Sequence, residues 1–290
     1  MRVRWHDVGH LRVAALLDGE ADLSTSISEA FPDLPPELLA TYAARMPGIY
    51  GSDGAWHLFS RAWLVMHPGG VILVDTGLGG PGSPTASWFP EPGHLLDALR
   101  EAGPTPDQVD TVVLTHLHDD HVSGAVTGDP PVPTFPRARY LIQQADVDAQ
   151  RQLAAEDDED RVIWERTLEP LFAAGVIDPL DGHRDLGDGI ELRPAPGHTP
   201  GHQIVRLRSK NARLTIVADA FMHPAQLARP DLPAGTDMHP AWAAASRREI
   251  LASLLSNPGT VIAPTHLDAP FGRVGSGPDG LAAWRPLAPN

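Results

Sequence analysis

Apolar residues recur along this chain in two rhythms, and the switches between them mark out its elements. Residues 3–8 and 11–17 are dense in aliphatic side chains on either side of Gly9, which predicts two opening strands joined by a turn. That density thins over 21–50, which reads as an N-terminal insert in which Pro35-Pro36 opens a helix through Ala44. Residues 57–66 read as a strand and Pro68-Gly69-Gly70 as a turn, followed by a buried strand at 71–74 that ends in Asp75-Thr76-Gly77. Helical spacing of Leu95, Leu96 and Leu99 predicts a helix over 94–102, stopped by Gly103-Pro104. Residues 111–114 form another apolar strand that runs straight into His116. Residues 136–180 mix a strand at 139–142 with a helical insert around 144–175. Strand patterns resume at 190–193, 203–208 and 214–218, and a helix at 241–255 precedes a last strand at 260–263. Strands in both halves, each set followed by helices, fit two sheets packed face to face with helices outside. The whole of 1–290 reads as one domain.

Composition narrows the function. With 37 acidic against 22 basic side chains the net charge is −15, a surface that repels phosphate backbones and argues against a nucleic-acid partner. The acidic run Glu156-Asp157-Asp158-Glu159-Asp160 reads as a solvated helix face. There is no cysteine, which removes disulfides, thiolate ligands and a Cys nucleophile. No run is long and apolar enough to span a membrane and no secretory leader is evident, so a cytoplasmic protein is expected. Fourteen histidines direct attention to metal ligands.

The densest candidate is Thr115-His116-Leu117-His118-Asp119-Asp120-His121. In extended backbone alternate side chains share a face, so His116, His118 and Asp120 point the same way just past a strand end. A helix starting there returns His121 to the same space. Four donors in six residues exceed what one tetrahedral centre with an open position takes, and so suggest two adjacent metals. Later strand ends add three more candidates. His198 sits in the Gly/Pro loop Pro196-Gly197-His198-Thr199-Pro200-Gly201-His202, Asp219 follows Val217-Ala218, and His266 follows Ala263-Pro264-Thr265. Imidazole and carboxylate donors suit zinc, and also manganese, iron or cobalt.

Asp75 in Val-Asp-Thr-Gly, the His-x-His-x-Asp-His motif, His198, Asp219 and His266 together resemble the metallo-β-lactamase superfamily, in its order and over roughly 55–270. The resemblance implies an α/β fold, an αββα sandwich of two mixed β-sheets flanked by helices. It also implies two divalent metal ions, one held by His116, His118 and His198 and the other by Asp120, His121 and His266, with Asp219 bridging. A hydroxide shared between the metals would attack the substrate, with Asp120 as the catalytic group that orients it. Asp75 would orient the ligand loop, and His202 would support the ligands without binding metal.

Within the superfamily, the absent cysteine and the presence of Asp219 set aside the β-lactamases, and the scarcity of basic residues after His266 sets aside the glyoxalase II type. Net charge sets aside the RNA nucleases. The retained His118 sets aside di-iron oxidoreductases, and the complete donor set a non-catalytic binding module. What remains resembles N-acyl-homoserine-lactone lactonases and methyl-parathion-hydrolase-like enzymes. The expected reaction is hydrolysis of a lactone or carboxylic ester, with organophosphate or aryl-ester hydrolysis as the alternative. Phe221, Met222, His223 and Phe271 are the expected substrate contacts, with Trp88, Phe89, Trp164 and Trp242 as further pocket candidates. Met222 stands where lactonases often carry a tyrosine, and His223 is the nearest residue able to replace it. The expected partner is a small ester or lactone. A homodimer in which residues 1–50 cover a second copy is the one assembly considered.

Overall fold

The computed structural model describes residues 2–277 and 280–288, and the chain builds its two large sheets one after the other. The first takes β1 (Val3–Val8), β2 (Leu11–Ser26), β3 (Ala55–His67), β4 (Gly70–Val74) and β5 (Thr111–Val113). After a separate hairpin of β6 (Val126–Thr127) and β7 (Val132–Pro133), it is completed by β8 (Arg139–Gln143) and β9 (Ile177–Leu180). Neighbours are antiparallel as far as β4, and β4, β5, β8 and β9 are parallel. The second sheet takes β10 (Arg184–Gly187), β11 (Ile190–Pro194), β12 (Gln203–Ser209), β13 (Ala212–Ile216), β14 (Val261–Ala263), β15 (Gly272–Ser276) and β16 (Ala282–Pro286). There β13 and β14 form the parallel pair.

Period-2 alternation assigns the layers. Val13, Ala15, Trp63, Val65, Ile72 and Val74 face the second sheet and meet Leu192, Val205, Leu207, Leu214 and Ile216 from it. The intervening Ala14, Leu16, Ala62, Leu64 and Leu73 face outward. Between β2 and β3 lie α1 (Ile27–Ala30) and α2 (Pro36–Arg45). The outer face of the first sheet is covered by α3 (Leu95–Ala102) through Leu95, Ala98 and Leu99. A short α4 (Asp119–Val122) follows β5. Then α5 (Gln144–Glu156) and α6 (Asp158–Ile163) lead through a π turn at Trp164–Leu168 into α7 (Glu169–Ala173). Val147, Leu168 and Leu171 from this stretch join the same outer core. On the second sheet α8 (Ala225–Ala228) precedes α9 (Pro240–Ser256), whose Ile250 and Leu254 pack over Ile204 and Ile262. The arrangement is helices, sheet, sheet, helices, the expected αββα sandwich.

Several boundaries differ from those the sequence predicts. Residues 21–26 belong to β2, which pairs with β3 as far as Ser26 opposite Ala55. Alternation continues there in Ala21 and Leu23, diluted by polar neighbours. The strands β15 and β16 have no clear sequence pattern because they are short, with two glycines in β15 and a proline in β16. Most of the acidic run is exposed, as expected, but Asp157 also caps α6 by accepting from the Glu159 and Asp160 backbone N–H groups. Among the described residues no helix is long and apolar enough to cross a membrane.

The register of β2 against β3 breaks at Asp18, between Leu17 and Gly19. The Asp18 carboxyl is fully buried and accepts from the Leu78 N–H at 2.6 Å. Burial pushes its pKa from 3.8 to about 6, against the pull of neighbouring backbone N–H groups. The folded protein therefore holds this proton more tightly than the unfolded chain, and stability from this group falls as pH rises from about 4 through about 6. The full swing is on the order of 3 kcal/mol. Asp18→Asn is expected to flatten that part of the profile, measured by denaturant unfolding at pH 5 and pH 7 on matched preparations.

Candidate metal centre

All the candidate donors sit where strands end at one edge of the sandwich. Strand β5 leads into His116, β13 into Asp219, and β14 into His266, while His198 lies in the loop from β11 to β12. The two sheets are tied at this edge by Gln203, whose backbone N–H donates to Thr115 O (2.9 Å) and whose Nε2 donates to Leu114 O (2.8 Å). Catalytic groups commonly collect beyond the carboxyl ends of parallel strands, where loops are free to vary.

Hydrogen bonds fix which nitrogen each ring presents. Thr115 Oγ1 donates to Asp75 Oδ2 and so accepts from His116 Nδ1, 3.1 Å away. His121 Nδ1 donates to Asp75 Oδ2 (2.8 Å), His198 Nδ1 to Asp237 Oδ1 (3.2 Å), and His266 Nδ1 to Phe59 O (2.8 Å). In each of these four rings Nδ1 is committed and Nε2 is the nitrogen turned to the centre, that of His266 lying within hydrogen-bond distance of Asp219 Oδ2. His116 Nε2 and His198 Nε2 lie 3.1 and 3.0 Å from His118 Nδ1. Three ring nitrogens this close cannot satisfy one another by hydrogen bonding, because at most one can carry a proton.

On the other side, His121 Nε2 and His266 Nε2 each lie 3.6 Å from Asp120 Oδ2. Asp219 faces both groups. Its Oδ2 is 3.4 Å from His198 Nε2 and 3.1 Å from His266 Nε2, and its Oδ1 is 3.3 Å from His121 Nε2. His121 Nε2 and Asp219 Oδ1 are buried with no hydrogen-bond partner. Unpartnered buried polar atoms among converging donors are what cations resolve, so these residues fit a metal centre. His116, His118 and His198 form one donor group, and Asp120, His121 and His266 another.

The electrostatics differ between the two donor groups. Burial, then neighbouring imidazoles, hold His116 and His118 well below the usual imidazole range and keep them neutral. Burial pulls His121 down too, but Asp120, Asp219 and Asp75 outweigh it and hold it well above. Burial works against the Asp219 carboxylate, but His266 and His121 outweigh it and keep its pKa well below the usual range.

The supporting residues divide clearly. Asp75, at a left-handed φ of 61°, receives bonds from Thr115 N, Thr115 Oγ1 and His121, so it holds the ligand-bearing loop without reaching the centre. His202 is fully buried and donates to Ala195 O, and its ring packs 5.3 Å from that of His116. Two supports had no signature in the sequence. Asp237 receives His198 on one oxygen and both terminal nitrogens of Arg247 on the other. Asp146 of α5 accepts from Thr199 Oγ1 (2.9 Å) and Gly201 N (2.5 Å), pinning the His198 loop to the first sheet's helices. Neither lies near a motif in sequence, and only the fold brings them in. Gly197, at φ +135°, lets this loop lie against α9, where a Cβ would come within 1.9 Å of Ala243 N. Gly197→Ala is expected to shift His198 and weaken metal retention by about 100-fold, the scale on which an ångström of misplacement acts. Competitive chelation measures it.

A cavity of about 510 Å³ opens on the donors. Leu23, Trp56, Leu58, Trp88, Met222 and Ala234 give it apolar walls, and Glu29, Asp119 and Asp120 add carboxylates. No Lys or Arg is among the lining residues. Of the expected substrate contacts, Met222 lies on the cavity and three do not. Phe221 packs into the outer core of the second sheet, and Phe271 packs between the sheets against Trp63. His223 is buried beside Phe31 and Tyr42 and donates from Nε2 to Tyr50 Oη, and burial lowers its pKa to about 3. It is a neutral core residue and is not among the residues lining the cavity. Of the further candidates Trp88 lines the cavity, its indole N–H bonded to Asp119 Oδ2 (2.6 Å). Phe89 and Trp164 pack in the cores and Trp242 is exposed elsewhere.

Known proteins echo this architecture. A probable metallo-hydrolase of Mycobacterium tuberculosis is 26% identical over 191 residues, covering 57% of this chain and 58% of its own length. An N-acyl homoserine lactonase of Rhizobium radiobacter is 26% identical over 181 residues, covering 54% of this chain and 63% of its own. The chain thus spans less than two thirds of these curated relatives. Among solved structures, the hydrolase AbOPH of the beta lactamase superfamily superposes with a TM-score of 0.83 at 25% identity, over 99% of this chain and 97% of its own. AidC, a dizinc quorum-quenching lactonase, does so at 0.81 and 24%, with the same coverage. The metallo-beta-lactamase superfamily profile matches residues 56–266, a span that contains every donor described above, and the chain belongs to that superfamily.

Proposed function

We propose that this protein is a metal-dependent hydrolase that opens a lactone or carboxylic ester, of the N-acyl-homoserine-lactone type. The observation that carries this reading is a donor cluster that presents His118, Asp120, Asp219 and His266 to a cavity with apolar walls and no basic side chain. Such a cavity admits a neutral acyl or ring-bearing substrate and disfavours an anionic one. His116, His118 and His198 would hold one divalent ion and Asp120, His121 and His266 a second, with Asp219 shared, and zinc suits these donors. Two such ions supply Lewis acidity, acidifying water and polarising a substrate oxygen.

The chain's own residues do the rest. Asp120 lines the cavity and serves as the proton carrier, taking the proton of the attacking water and returning it to the departing alkoxide. Water adds across the acyl C–O bond, and the products are a carboxylate and an alcohol on one molecule for a lactone, or on two for an ester. Trp56, Leu58 and Met222 hold the acyl portion and exclude bulk water. A second reading, an aryl-ester or organophosphate hydrolase, draws on Trp56 and Trp88, which offer ring faces to an aryl leaving group.

One panel tests both. Acyl lactones, aryl esters, phosphotriesters, a β-lactam and S-lactoylglutathione are compared on one preparation with metal counted in parallel. Lactones or esters are expected to lead. Preference for the doubly acidic glutathione thioester would sink the proposal, because no Lys or Arg lines the cavity to receive its carboxylates.

A further inference from the structure

Away from the metal centre, the outer face of the second sheet concentrates positive charge in a protein of net charge −15. In the β12–β13 register Arg208 stands directly opposite Arg213, and Arg206 opposite Thr215. Leu207 and Leu214 between them point into the inter-sheet core, so all three arginines share the outer face. Like charges placed directly opposite one another on a sheet are destabilising. Lys210, in the turn joining these strands, adds a further cation.

Local carboxylates do not neutralise them. Glu191 is opposite Arg206 in register, but its Oε2 accepts from Arg193 Nε and NH2 at 3.0 and 2.8 Å. Glu249 lines a neighbouring cavity with Arg193 and Arg206. Among the described residues Arg206, Arg208 and Arg213 form no ion pair. The three line a cavity of about 250 Å³ together with the paired Glu191 and Arg193, and Ser253, Asn257 and Thr260, at and just beyond the C-terminal end of α9, close its far side.

We propose that this cavity binds a dianionic oxyanion of the sulfate or phosphate class, held by Arg206, Arg208 and Arg213. Guanidinium forks match the edge of such an anion and form charge-assisted hydrogen bonds to it. The polar side chains of Ser253 and Asn257 complete the wall. Binding relieves the repulsion between Arg208 and Arg213. The site lies toward the turn end of β12 and β13, whereas His198 precedes the opposite end of β12 and Asp219 follows the opposite end of β13, so it is separate from the hydrolytic centre.

The test uses the full chain with metal bound and sulfate as probe, against chloride at matched ionic strength. Titration calorimetry on wild type is expected to show saturable sulfate binding, about tenfold or more weaker in the R208Q/R213Q variant, with hydrolysis in chloride unchanged. In low-salt chloride R213Q alone should melt higher than wild type, and sulfate should stabilise wild type more than the double variant. Equal sulfate responses in wild type and R208Q/R213Q would overturn the proposal. So would a lower melting temperature for R213Q in chloride, since the arginine would then be held by the chain itself.

Discussion

Asp219→Ala is expected to lose metal and turnover together, each by more than the roughly 100-fold that removing an outer partner of a ligand costs. The reason is geometric. Both oxygens of Asp219 face the centre, Oδ2 toward His198 and His266 and Oδ1 toward His121. Without it the two donor groups no longer share an anion, and the buried Nε2 of His121 loses its nearest counter-charge. His118→Ala removes only one nitrogen, the one 3.1 and 3.0 Å from its two neighbours, and should lower metal content with retained fold. Both are checked by counting metal after dialysis and measuring initial rates on the same sample. A folded Asp219→Ala protein with full metal content and full turnover would remove the centre described here.

Asp237→Ala should produce the largest loss of stability, and a loss of metal affinity with a different cause. Arg247 and Asp237 are buried together, and deleting the carboxylate strands the guanidinium at a cost of about 3–5 kcal/mol. Burial works against the Asp237 carboxylate, but His198 and Arg247 outweigh it and hold its pKa below the usual range, so it is ionised where it meets both. Losing it also frees His198 to turn or change tautomer, which should weaken metal binding by about 10–100-fold. The double variant Asp237→Ala/Arg247→Met separates the two effects. Replacing both charges by apolar groups should restore most of the stability and none of the affinity. If affinity returns with stability, Asp237 acts on the fold alone.

The seven donors were legible in the sequence because imidazoles and carboxylates seldom gather at short spacing, just past strand patterns, unless they surround a cation. Their supports were not legible. Asp237 lies 39 residues from His198, in a loop whose composition is ordinary. The cavity walls were hidden for a related reason. Phe221 and Phe271 lie close to donors along the chain, but their backbones turn them into the cores. Leu23, Glu29, Trp56 and Leu58 are distant in sequence, yet they come to the cavity on the far half of the paired β2 and β3 and on α1, which follows β2. Nearness in sequence picked out the candidate donors because they follow the ends of a few strands, four of them after β5 alone. Cavity walls are assembled from several elements, and no single window of residues contains them.

The separation of the two sheets along the chain bears on how the centre comes into being. The first sheet uses nothing beyond Leu180 and the second nothing before Arg184, so a nick between them would sever no strand. His116, His118, Asp120 and His121 would stay with one fragment, and His198, Asp219 and His266 with the other. Neither fragment alone would carry a full coordination shell. The clasp between them is already present in the intact protein: Arg61 of β3 donates to the carbonyls of Thr265, Leu267 and Asp268, and Phe59 O on the same strand receives His266. Two such fragments, mixed, would regain metal uptake only as they docked, and would turn fragment complementation into a direct readout of active-site assembly.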